Sequence, residues 1–157
     1  MNTLFIEQYK PEYHPIIIDM ITSIQQKEFN LPITYQDQPD LAQIETFYDS
    51  FLVALHNNIP VGTIGFKSIQ DFAIIRKMFV TEGFRGSTFG TAQKLLETLE
   101  KQIAAESIKK IYLGTTNFFK AAHRFYEKNH YVEIAQADLP TAFPRISIDT
   151  KFYHKKL

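Results

Sequence analysis

The stretch DFAIIRKMFVTEGFRGSTFGTAQKLLETLEKQIAA, residues 71–105, constrains this chain more than any other. It opens as a strand of β-branched and aromatic residues. It then passes through glycines at 83, 86 and 90, and Ala92, Leu95, Leu96, Leu99 and Ile103 come after them at helical spacing. Half of the chain's six glycines fall in this one turn. A connection that only changed direction could use one. Three, set among Arg85, Ser87, Thr88 and Thr91, leave backbone amides uncovered where something can approach closely. The first amides of a helix have no intrahelical acceptor, and the helix dipole favours negative charge there. Strand, glycine turn and helix start therefore make a ready anion site. Neither familiar nucleotide fingerprint fits. Gly90 is followed by Thr91 and Ala92 instead of the Lys-Ser/Thr of a Walker loop, and the glycine spacing is not that of G-x-G-x-x-G. The implied ligand is a different carrier of phosphate.

The rest of the chain reads as one α/β domain over residues 1–157. TLFIEQY (3–9) is a strand ended by Lys10-Pro11. Residues 14–29 form a helix with proline in its first turn and Ile17, Met20, Ile21 and Ile24 along one face. NLPITYQDQPD is a loop, and Asp40 is placed to cap a second helix over 41–50. FLVALHNN and IPVGTIGFKSIQ form a hairpin about Asn57-Asn58, and 71–81 is the next strand. Next in order are a helix over 90–106, a strand over 109–116, a helix over 118–129 and a strand over 131–135. A proline-containing loop and a closing strand near 148–155 end the chain. No repeat, low-complexity tract or linker interrupts the series. Antiparallel strands thus lead into a strand–helix–strand crossover.

Composition narrows the function classes. A hydrophobic fraction of 45%, with 14 phenylalanines and 8 tyrosines, supports a packed core. The 17 basic and 17 acidic residues cancel, so bulk charge points to neither a nucleic acid nor a membrane surface as partner. The absence of cysteine excludes disulfides, a thiol nucleophile and cysteine-ligated metals. MNTLFIEQYKPEYH lacks the form of a signal peptide, and no apolar run approaches the ~20 residues of a membrane span. The expectation is a cytoplasmic domain. No His/Asp/Glu set has metal-binding spacing, so no metal is expected.

Arg85-Gly86-Ser87-Thr88-Phe89-Gly90, after the strand RKMFV, resembles the acyl-CoA loop of the GNAT superfamily of N-acetyltransferases. That loop reads Arg/Gln-x-x-Gly-x-Gly/Ala after a strand with a hydrophobic end. One position departs. Thr88 stands at the first glycine, where the backbone conformation must suit a β-branched residue and the hydroxyl could supply a phosphate contact. NFFKAAHRFYEKNHYVEI (117–134) resembles the family's second block, with an asparagine after a strand and a tyrosine after a phenylalanine. Asn129-His130 stand where glycine is usual, and asparagine at 129 can take the left-handed conformation that ends a helix. LPTAFPRISIDTKFY (139–153) is similar to a bacterial subgroup. The resemblance spans nearly the whole chain and is most specific over 76–131.

The resemblance implies a mixed, mostly antiparallel central sheet with flanking helices and a splayed parallel strand pair, here 72–81 and 109–116. It implies acetyl-CoA as acyl donor and a primary amine as acceptor. Met78, Phe79 and Val80 would pair with the pantetheine arm, which Asn117 would also reach. The amides of Gly86, Ser87, Thr88, Phe89, Gly90 and Thr91 would hold the pyrophosphate, with Arg85 near its charge. Tyr126 matches the general acid that protonates the departing thiolate. Related enzymes often carry a glutamate base on the strand that here reads FAIIRKM, and the positions it would occupy are apolar. Glu28 is the candidate base, with a relayed water, His123 and Glu45 as the alternatives. The acceptor pocket would draw on residues 27–41 and 138–146. There Phe29, Tyr35 and Phe143 suggest an apolar wall, and Asp37 and Asp40 suit either a cation or helix capping and loop packing. A homodimer is compatible with these motifs. The alternative readings are a non-catalytic acyl-CoA-binding regulatory module of the same fold and a purely structural domain.

Overall fold

The computed structural model describes residues 4–157. Thr3, the expected first residue of the opening strand, lies outside the described residues. Strand β1 is Leu4–Gln8. It stops short of Pro11, which has no N–H to offer a ladder. Helix α1, His14–Ser23, carries its proline in the first turn and continues as a π turn over Ile24–Glu28, closed by the Phe29 N–H on the Ile24 carbonyl at 3.1 Å. The expected helix over 41–50 is largely absent. A 3-10 turn, Pro39–Gln43, leads into the single turn of α2, Ile44–Phe47. Asp40 caps neither. It lies inside the 3-10 turn, and its carboxylate accepts from the Tyr48 hydroxyl at 2.5 Å. Strands β2 (Ser50–His56) and β3 (Ile59–Ile69) form the hairpin. Asn57 and Asn58, at φ +51° and +66°, supply the two positive angles such a turn needs.

Strand β4 is Phe72–Val80, helix α3 Thr91–Ala105, and strand β5 Lys110–Thr115. Helix α4 (Lys120–Lys128), β6 (Val132–Ile134) and β7 (Lys151–Lys156) complete the described chain. The strands form a seven-stranded sheet in the order β1-β2-β3-β4-β5-β7-β6. The sheet is mostly antiparallel, and β4 and β5 are its parallel pair, registered at Ala73–Ile111 and Ile74–Tyr112.

The chain divides into two compact units. The first holds the residues up to Lys67 together with Lys77–Gln102. Its core sets Ile17, Met20 and Ile21 of α1 and Ile24 of the π turn against Leu41, Ile44, Tyr48, Phe51, Val53 and Leu55. The second holds Ser68–Arg76 and Ile103–Leu157. Phe72 and Ile74 of β4 pack there with Phe152 of β7 and with Leu139 and Phe143 from the proline-containing loop. Truncating a fully buried Ile17 or Leu41 to alanine costs about 2–5 kcal/mol. That is a large share of the roughly 5–15 kcal/mol that separates folded from unfolded domains.

Candidate active site

The turn between β4 and α3 lies in the first unit. The Thr81 N–H still bonds the Val61 carbonyl at 2.8 Å, after which Glu82–Phe84 form a 3-10 turn. Gly86 and Gly90 take φ +91° and +63°, angles open to glycine and strained for other residues. A Cβ built on either meets nothing within 4 Å, so the backbone here faces open space. Thr88 is not among the positive-φ residues, and threonine is at home where the family pattern has its first glycine. The Gly90 N–H bonds the Gly86 carbonyl at 3.2 Å, and the Lys94 N–H bonds the Gly90 carbonyl at 3.0 Å. The amides of Thr91 and Ala92 come before that bond, in the first turn, where a helix has no acceptor of its own for them. Phe84 and Phe89 contact each other at 4.9 Å between ring centroids, and His56 at 4.8 and 5.9 Å, which ties the turn to the end of β2.

Two buried polar atoms in this unit have no partner in the protein: His56 Nε2 and Thr91 Oγ1. An unsatisfied buried donor or acceptor costs about 1–3 kcal/mol, so such groups call for a reason. Thr91 is the first residue of α3 and only 1% exposed. The open glycine backbone, the helix start and this orphaned hydroxyl together fit a bound phosphate group.

Sequence reasoning gives Arg85 and Glu28 separate roles, one beside the phosphate and one as base. The fold brings them together. Arg85 Nη1 and Nη2 donate to the two Glu28 carboxylate oxygens at 2.5 and 2.7 Å, and Nε donates to the Val80 carbonyl at 2.8 Å. The guanidinium holds the Glu28 carboxyl below the usual carboxylate range, which favours its charged form and weakens it as a base. The pair is partly exposed, so it adds at most about 1 kcal/mol. Glu28 ends the π turn. A groove of about 560 Å³ beside it is lined by Asp19, Met20, Ile24, Thr81 and Glu82 among others.

In β4, next to Met78–Val80, Lys77 takes φ +58°, although it is not glycine and sits inside a strand. Such a conformation costs about 1–3 kcal/mol and persists only where its surroundings enforce it. The Lys77 carbonyl accepts from Thr63 Oγ1 at 2.8 Å, and Nζ donates to Gln38 Oε1 at 2.7 Å. Nζ also lies 3.6 Å from Asp40 Oδ2, with the two side chains 9% and 3% exposed. Gln38 exchanges amide bonds of 2.9 Å with Gln25, which is buried in the π turn. The cation that Asp40 attracts is thus Lys77 of the same chain. Asp37 accepts from the Thr34 N–H and hydroxyl, both at 2.9 Å, as a loop cap does. Of the expected apolar wall, Phe29 and Tyr35 pack against the core of the first unit, and Phe143 belongs to the core of the second. No sequence signal marks the Lys77 network: β4 reads FAIIRKMFV, and nothing in it sets Lys77 apart from its neighbour Arg76.

The second unit carries Asn117, His123 and Tyr126. Asn117 comes directly after the buried pair Thr115-Thr116, and its N–H donates to Thr150 Oγ1 at 3.1 Å. His123, on the buried side of α4, donates from Nε2 to the Thr116 carbonyl at 2.8 Å. Burial lowers its pKa, so the ring is neutral at neutral pH with its proton on Nε2. Tyr126 is 5% exposed and packs its ring against Tyr131, Phe125 and Tyr153 at centroid distances of 5.6, 5.8 and 6.0 Å. Burial pushes its phenol well above the ordinary tyrosine value, so the hydroxyl keeps its proton.

The end of α4 corrects the expectation for Asn129. That residue has φ −95°, and His130 takes the left-handed angle, +73°. The Tyr131 N–H bonds the Tyr126 carbonyl at 3.0 Å and the His130 N–H bonds the Glu127 carbonyl at 3.1 Å. This is the Schellman pattern, with His130 at the glycine position and Tyr131 packed back on Tyr126. The Asn129 side chain donates to the Phe125 carbonyl at 2.9 Å instead.

Among the described residues no group of three or more His, Asp and Glu side chains is placed to hold a metal ion, and no helix is long and apolar enough to cross a membrane. The chain is 36% identical to an acetyltransferase of the GNAT family from Staphylococcus aureus Mu50, with 98% of this chain and 99% of that one covered and a TM-score of 0.94. An acetyltransferase from Streptococcus agalactiae 2603 is 29% identical, with 98% of each chain covered and a TM-score of 0.93. The fold is shared with the PaiA N-acetyltransferase from Thermoplasma acidophilum, solved in complex with coenzyme A. That protein has 15% identity, a TM-score of 0.77 and 99% of each chain covered. No curated protein matches the chain. The model of the acetyltransferase (GNAT) family matches residues 18–131, about three-quarters of the sequence, and the chain belongs to that family.

Proposed function

We propose that this acyltransferase moves the acetyl group of acetyl-CoA to a primary amine by direct attack, with Tyr126 as general acid. The observation that carries the reading is the turn before α3, with open backbone over Gly86 and Gly90 and an orphaned Thr91 hydroxyl at the helix start. Acetyl-CoA supplies a thioester already activated towards amines, so the protein's tasks are to orient the amine, stabilise the oxyanion and move protons. The amides from Gly86 to Thr91 hold the pyrophosphate. The backbone of Met78, Phe79 and Val80 pairs with the pantetheine arm, and Asn117 takes a further contact to it. Arg85 reaches the diphosphate by exchanging its Glu28 partner. Tyr126, protonated at neutral pH because it is buried, gives its proton to the departing thiolate. Glu28 is a weak candidate for the base while Arg85 holds it, and the Nε2 proton of His123 is engaged at Thr116. We therefore assign removal of the amine proton to a relayed water.

An acetyl-transfer screen over polyamines, amino acids, aminoglycosides and lysine peptides, read as free CoA, tests the proposal. Turnover with at least one amine and saturable acetyl-CoA binding are the expected result. Tight acetyl-CoA binding with no turnover across the panel would favour the regulatory-module reading, and no binding at all a structural one.

A further inference from the structure

We infer that Lys77 is a positioning residue: its ammonium, pinned between Gln38 and Asp40, holds a left-handed residue inside β4 and so sets the orientation of Met78, Phe79 and Val80. The inference rests on the proposed function, in which those three residues pair with the acyl-CoA arm.

Two unfavourable features coincide at residue 77. A side chain at φ +58° is strained, and a lysine with a side chain only 9% exposed has given up most of its water. Glycine would avoid both. The lysine makes physical sense as a tether. Its carbonyl is taken by the Thr63 hydroxyl of β3 and its ammonium by Gln38 and Asp40, so backbone and side chain are held from opposite ends. The far end is itself fixed, with Asp40 bonded by the Tyr48 hydroxyl and Gln38 locked to Gln25 by paired amides.

A left-handed residue breaks the alternation of a strand and re-aims the residues beyond it, as at a bulge. The parallel register of β4 runs over Ala73 and Ile74, and the break comes three positions later, just before Met78. The tether also binds this point of β4 to the loop ending in Gln38 and Asp40, the segment assigned to the acceptor side. One network therefore fixes the cosubstrate strand and the acceptor loop relative to each other.

The test compares wild type, Lys77→Met, Asp40→Asn and the double variant Lys77→Gly/Asp40→Asn, by calorimetric titration with acetyl-CoA and by thermal melting. Lys77→Met removes the tether and keeps the bulk, and its acetyl-CoA affinity is expected to fall about tenfold or more. The double variant lets glycine hold the positive angle unaided and leaves no buried unpaired carboxylate. It should recover affinity to within about threefold of wild type while still melting lower. Affinity and stability then part company, which a merely structural ion pair would not produce. Should Lys77→Met fail to fold, Asp40→Asn replaces it, with an expected affinity loss of about threefold or more in a folded protein. Wild-type affinity in Lys77→Met or Asp40→Asn, or a double variant as weak as Lys77→Met, would overturn the inference alone. A wild type that does not bind acetyl-CoA would overturn the reading of the site and this inference with it.

Discussion

Two turns carry the likeness to acetyltransferases, and they are built in opposite ways. The turn from β4 to α3 puts its two positive angles on glycine and leaves open space above them. Its helix start offers amides without acceptors and a buried hydroxyl without a partner. The end of α4 puts its positive angle on His130 and closes on itself, with both Schellman bonds made and Tyr131 packed back on Tyr126. An open turn leaves its polar groups for something outside the chain, whereas a closed turn uses them to hold a side chain still. The first reads as a binding element and the second as a support for Tyr126.

The largest expected effect tests the closed turn. Tyr126→Phe keeps the ring and its contacts and removes only the hydroxyl. General acid catalysis is worth roughly 10²–10⁴ in rate, and a thiolate leaves readily, so a loss of about 10²–10³ in kcat is expected with unchanged acetyl-CoA affinity. Turnover within about threefold of wild type, with chemistry rate-limiting, would reduce α4 to packing.

Gly90→Val attacks the open turn. The added carbons meet nothing in the protein itself, so any effect comes from the strained angle and from filling the place read as the phosphate's. Acetyl-CoA affinity should drop about tenfold or more. An unchanged titration would break the assignment of the turn.

A smaller effect sharpens the role of the Arg85–Glu28 pair. If the diphosphate competes with Glu28 for Arg85, Arg85→Ala should weaken acetyl-CoA binding by about 1.5–3 kcal/mol, less the cost of parting the pair. Glu28→Gln should then tighten binding about two- to fivefold, because it removes the competitor. A fall in kcat of about 10² or more for Glu28→Gln would instead restore Glu28 as the base. The pair also has a pH signature. Folding lowers the Glu28 pKa, so its small stabilising contribution is complete above the unfolded value, near 4.3, and is lost as the pH falls through the lower folded value. The stability difference between wild type and Glu28→Gln, followed by denaturant titration, should therefore shrink below about pH 4.

The smallest effect belongs to the closed turn again. His130→Gly places glycine at its preferred helix-ending position and should raise stability by up to about 1 kcal/mol, without moving kcat or acetyl-CoA affinity. A change in turnover at unaltered melting temperature would draw this turn into the chemistry.

The sequence by itself determined whatever rests on neighbours along the chain. The apolar stripes of α1 and α3, the Asn57-Asn58 hairpin and the glycine turn before a helix all arise from periodicity and backbone sterics, which act over a few residues. The resemblance to a known family over residues 76–131 was legible there too, in the residues of its two motifs. The tertiary structure decided which polar groups meet. Arg85 lies 57 positions from Glu28, and Lys77 lies 39 from Gln38, and no spacing rule selects one carboxylate or amide among many at such separations. The same long-range choice took Asp40 away from its expected cap and reduced the helix behind it to one turn. At the end of α4 the left-handed residue is His130 because Tyr131 packs against Tyr126 and the last carbonyls find their donors there, a matter of packing that local preference for Asn129 could not overrule. Periodicity fixes which face of an element is buried, whereas the partner of a buried charge is chosen by where the rest of the chain has folded.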